Sequence, residues 1–81
     1  MDETYTHITV SYIEGTVSDE DIYNSVGHPN YSGSGLGKRD MEWIFTSSEI
    51  KKAIETEHKL NNIPGLTVSL HESDSEGNVI T

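Results

Sequence analysis

The residues best suited to chemistry lie in one short stretch, Tyr31-Ser32-Gly33-Ser34-Gly35-Leu36-Gly37-Lys38-Arg39. Glycines let backbone N–H groups converge on an anion, and serine hydroxyls with a Lys-Arg pair can complete a phosphate cradle. The stretch matches neither the Walker loop, which needs Gly-Lys-Ser/Thr at a fixed spacing, nor the dinucleotide fingerprint. In both of those the glycines follow a strand and open a helix. Here they precede a strand, so no helix N-terminus faces a ligand. A flexible hairpin connection or a protein-contact loop accounts for the same residues. Tyr31 is the aromatic expected at an interface, with Ser32, Ser34, Lys38 and Arg39 beside it.

Four histidines raise the question of a metal: His7, His28, His58 and His71. Glu55 and His58 share a helical face, as carboxylate–imidazole pairs do in di-metal bundles. No spacing supplies the three convergent ligands that a site needs, so no metal is expected. His7 points away from Ile8 and His71 away from Leu70, which makes these two potential neighbours across a sheet. The segment Glu72-Ser73-Asp74-Ser75-Glu76-Gly77-Asn78-Val79 has acids at alternate positions and a glycine sixth, like a calcium loop. It opens on Glu, and the twelfth-position Glu is missing before Thr81. A hairpin turn explains it better. No serine sits in a nucleophile elbow, and a chain this short has little room for a closed pocket. Neither an enzyme nor a cofactor is expected.

The formal charge is −9, from 14 acidic and 5 basic residues, and its placement is uneven. All five bases lie within residues 27–65. The ends of the chain are acidic, and Asp19-Glu20-Asp21 is the densest run. Such a surface repels nucleic acid and anionic membrane and suits a basic protein, or simply keeps a small domain soluble.

These groups must be positioned by a single α+β domain over residues 1–81. Tyr5–Ile13 alternates apolar and polar residues and predicts a strand buried on one face. Ser18 caps a short helix to about Val26, ended by Gly27. Residues 27–40 read as a loop, with a weak strand around 29–32. Met41–Phe45 is the second clear strand. Thr46 or Ser47, with Glu49, forms a capping box for a helix to about Asn61. Its inward positions are Ile50, Ala53, Ile54, Glu57 and Leu60. Leu66–Leu70 is a strand, and Val79–Thr81 returns as a short last strand after the Ser73–Asn78 turn. The expected core runs over Ile8, Val10, Tyr12, Ile22, Val26, Met41, Trp43, Phe45, Ile50, Ile54, Leu60, Ile63, Leu66, Val68 and Leu70.

The order is therefore β-α-(β)-β-α-β with a short C-terminal hairpin strand. Both helices would lie on one face of a small, mostly antiparallel sheet, a two-layer sandwich. This resembles the ferredoxin-like plan in element order. That architecture hosts many unrelated roles, so function rests on the site. There is no cysteine, no signal-peptide pattern at Met-Asp-Glu-Thr and no apolar run of the roughly 20 residues that span a bilayer. A cytoplasmic protein is expected. Apolar content is low, at 32%, and a homodimer would add buried area.

Two functions compete. One is a small acidic, non-catalytic binding protein that masks a partner with a basic surface through Asp19, Glu20, Asp21 and the 31–39 stretch. Inhibitors of host defence carried by phages or mobile elements are of this size and charge. The other is a domain that binds or sequesters a nucleotide or phosphate at the glycine stretch.

Overall fold

A computed structural model describes residues 3–80. Its elements are β1 (Thr4–Ile13), α1 (Asp19–Val26), β2 (Tyr31–Gly35), β3 (Lys38–Thr46), a 3-10 turn (Ser47–Glu49), α2 (Ile50–Asn61) and β4 (Thr67–Asp74). The four strands form one sheet in the order β2-β3-β1-β4, and every neighbouring pair is antiparallel.

Successive side chains of a strand point to opposite faces, so register assigns each residue to a side. Ile8 lies opposite Trp43 and Leu70, and Val10 opposite Met41 and Val68. Ile8, Val10, Met41 and Trp43, with Tyr12, meet Ile22 of α1 and Ala53 and Leu60 of α2 in one buried cluster, and Val68 packs partly buried against it. Both helices therefore cover this one face. The opposite face, with His7, Thr9, Ser11, Asp40, Glu42 and His71, has no layer over it among the described residues.

The helix starts differ. At α2 the Glu49 carboxylate accepts the Thr46 backbone N–H at 3.1 Å, as a capping box requires, and the Thr46 hydroxyl at 3.1 Å. The N–H bond and the hydroxyl hold the Glu49 carboxyl below its usual range. At α1, Ser18 occupies the cap position without a side-chain cap bond. Asp19, Glu20 and Asp21 nevertheless put three carboxylates in the first turn, where the helix dipole favours them.

Four expectations are corrected. Residues 31–35, read as glycine loop, are an edge strand paired with β3, two or three residues beyond the weak strand expected at 29–32. Two glycines and two serines give poor strand propensity, but the nine-residue β3 supplies the ladder that holds them. Ile50 and Ile54, expected inward on α2, are 45% and 60% exposed. Only Ala53 and Leu60 are buried on that helix, so it is rolled to set its small Ala53 against the sheet. Leu70, on the edge strand β4, is 41% exposed on the helix-bearing side. Finally, the expected last strand reduces to one bridge, Ser73 to Val79, and an Ile80 N–H bond to the Glu72 carbonyl. Thr81 lies outside the described residues.

Candidate functional site

Two regions gather the polar and exposed groups. The first is the end of the molecule where the β2–β3 hairpin turns. Leu36 and Gly37 make a two-residue connection with φ of 54° and 78°. Positive φ at both central residues is what a type I′ turn requires, and Asn-Gly is its preferred pair. Leu36 is the one described non-glycine residue with positive φ, and it is wholly exposed. The Glu14 N–H donates to the Gly37 carbonyl at 2.8 Å, which docks the β1–α1 connection against this turn. Ile13, also exposed, lies opposite Lys38.

The hairpin is tied to α1 by a polar cluster. Arg39 meets the Asp19 carboxylate with both arms of its fork, Nη2 to Oδ2 at 2.8 Å and Nε to Oδ1 at 3.1 Å. The Tyr12 hydroxyl donates to the same carboxylate. Burial, and then the bond to Asp19, raises the Tyr12 pKa above its ordinary value. The bond to Tyr12, and then the Asp19 charge, raises that of Arg39 further. The cluster brings the two sequence-predicted groups, 31–39 and 19–21, to one place. It also commits Asp19 and Arg39 to structure, leaving Tyr31, Ser32, Ser34, Lys38, Glu20 and Asp21 exposed. Lys38 and Arg39 are successive strand residues on opposite faces, so they do not form the paired anion cradle that their adjacency suggested.

The second region is the open sheet face. His7 of β1 lies directly opposite His71 of β4, and their rings stack at 4.5 Å with a 9° tilt. Glu42 of β3 sits diagonally across from His7, opposite Thr9. Its Oε2 lies 3.5 Å from His7 Nδ1. His7 Nε2 is 2.7 Å from the hydroxyl of the buried Ser73. Thr9 and Ser69 share a hydroxyl–hydroxyl bond at 2.5 Å. Beside them a groove of about 400 Å³ opens over Gly33, flanked by Ser11, Tyr31, Asp40 and Glu42. Its lining has two carboxylates and neither Lys nor Arg, which is unfavourable for a phosphate.

Sequence reasoning therefore missed two features. An exposed leucine in a glycine stretch carries no sequence pattern, so only the positive φ of Leu36 singles it out. The His7, Glu42 and His71 convergence depends on strand register. The other metal and calcium suggestions dissolve into local structure. Glu55 pairs with Lys59 at 3.4 Å, and the His28 ring lies against Tyr23 at 4.5 Å with a 33° tilt. The Asp74 carboxylate caps the backbone N–H groups of Glu76 and Asn78 within a hairpin turn. The bond from Asn78 is the main reason its carboxyl is held below the usual range. Trp43 is a core residue as expected, with its Nε1–H donated to the Gly27 carbonyl at 3.2 Å. No helix among the described residues is long and apolar enough to cross a membrane. Neither a protein-family model, nor a curated protein, nor a solved structure matches the chain.

Proposed function

We propose that this is a small acidic, non-catalytic cytoplasmic protein that masks a basic surface of a partner protein, docking through the tip and outer edge of the β2–β3 hairpin. The observation that carries this reading is Leu36. An apolar side chain stands wholly exposed at a backbone conformation that disfavours it. Strained positions of this kind persist where they serve a function. Near this tip are Ile13, also exposed and opposite Lys38, and Glu14, whose N–H bonds the Gly37 carbonyl, while Glu20 and Asp21 follow Asp19, the partner of Arg39, in the first turn of α1. An apolar anchor on an acidic molecule suits a basic surface with an apolar pocket. The edge strand β2 supports the same reading. Tyr31–Gly35 is exposed throughout and holds neither proline nor charge to deter an added strand. The four-stranded antiparallel sheet with two helices on one face supports a ferredoxin-like plan, which we adopt as the fold. A host-defence inhibitor is the role that best suits such a masking module.

The test is affinity capture from lysate with the wild-type chain and with Glu20→Lys/Asp21→Lys. A basic protein retained at low salt, released as salt rises, and lost from the charge-reversed variant is the expected result. Capture that is indifferent to both salt and charge reversal contradicts the reading.

A further inference from the structure

We propose that His7, His71 and Glu42 form a binding site for a divalent transition-metal ion of the zinc class on the open face of the sheet. The inference does not rest on the partner-masking reading. One ligand atom from each residue lies within 4.8 Å of the other two. The three residues come from three adjacent strands, β3, β1 and β4, so the sheet itself sets their spacing. His7 is the central member.

The geometry around His7 favours a cation over a simple contact. Its Nδ1 is buried and has no hydrogen-bond partner. Glu42 Oε2, at 3.5 Å, is beyond ordinary hydrogen-bond length. With metal–ligand bonds of about 2.0–2.2 Å, two ligands of a tetrahedral zinc ion stand about 3.4 Å apart. The observed separation is that edge. The other ring nitrogen, Nε2, is engaged by the buried Ser73 hydroxyl. When Nε2–H donates to Ser73, Nδ1 presents its lone pair toward the carboxylate. A partner that fixes ring orientation and tautomer in this way is characteristic of metal-binding histidines. His71 completes the set. It is half-buried, and one of its ring nitrogens already lies within 4.8 Å of the ligand atoms of His7 and Glu42. Solvent on the open face supplies a fourth ligand. Two imidazoles and one carboxylate select zinc, cobalt, nickel or copper(II) over calcium and magnesium, which take oxygen ligands.

The test uses the full chain, stripped with a chelator and titrated with zinc chloride alone. Calorimetry gives stoichiometry and affinity, and histidine-ring NMR reports which imidazoles respond. One zinc per chain is expected, with the His7 and His71 resonances moving together while His28 and His58 serve as internal controls. His71→Ala and Glu42→Gln should each weaken zinc binding about tenfold or more. Both positions are solvent-facing enough to leave the fold intact, as far-UV circular dichroism will verify. Rings of His7 and His71 that stay unmoved in a large molar excess of zinc overturn the proposal and leave a His7–Glu42 contact only. Unchanged affinity in both variants overturns it equally.

Discussion

Ile22→Ala is expected to lower the unfolding free energy by about 2–5 kcal/mol, the range for truncating a fully buried aliphatic side chain. Ile22 is 0% exposed and is the one buried residue of α1. That helix has eight residues, too few to hold its shape without packing. A domain of this length has only about 4–12 kcal/mol of stability in all, so the variant will be largely unfolded well below the wild-type melting temperature. Ile54→Ala is the matching control. It removes the same atoms from an exposed site and puts a better helix former in place. Its expected effect is within about 0.5 kcal/mol. Urea denaturation of the two variants checks the pair. Equal losses would mean that α2 is rolled toward Ile54 and not Ala53.

Asp19→Ala has the next largest expected effect on stability. It removes the acceptor of the part-buried Tyr12 hydroxyl, and an unsatisfied donor there costs at most about 1–3 kcal/mol, the range for full burial. It also frees Arg39 and releases the hairpin from α1. The same cluster predicts a pH dependence. The folded-state pKa of Tyr12 lies above its unfolded value near 10. Stability from this source is therefore complete below about pH 10 and is lost as pH rises toward the folded value. The urea midpoint of the wild type should fall above pH 10 by more than that of Tyr12→Phe. Burial is the larger cause of the shift, so Asp19→Ala should retain part of that alkaline loss. A flat wild-type profile between pH 9 and 11 would place Tyr12 outside the core.

Much of the scaffold was legible because periodicity and caps are local. The alternation in Tyr5–Ile13 and Met41–Phe45 identified the two central strands and their buried phases, and Thr46 with Glu49 marked the start of the second helix. Trp43 was legible as core because it shares phase with Met41 and Phe45. The rest depended on information that no local window holds. β2 is built from residues that avoid strands, and it exists because β3 offers it a ladder. Ile54 lies outside the core because α2 sits close to the sheet over Ala53, a choice made by packing and not by apolar spacing. The same limit applied to the sites. That His7 and His71 share a face could be read from their strands. That they stand opposite one another depends on the β1–β4 register, and shifts by an even number of residues keep every side chain on its face while changing its neighbour. Glu42 joins them only because β1 lies between β3 and β4.

The central functional claim is that Leu36 is kept at the hairpin tip for a partner and against the preference of the backbone. One variant tests it through two readings. Leu36→Asn gives the turn its preferred Asn-Gly pair and removes an apolar anchor. Thermal or urea unfolding should show a gain of about 1 kcal/mol from relief of the left-handed conformation. Binding to the partner recovered by capture should weaken about tenfold or more. Stability up with binding down is the predicted result. Binding that survives the substitution unchanged would contradict the account, whatever happens to stability.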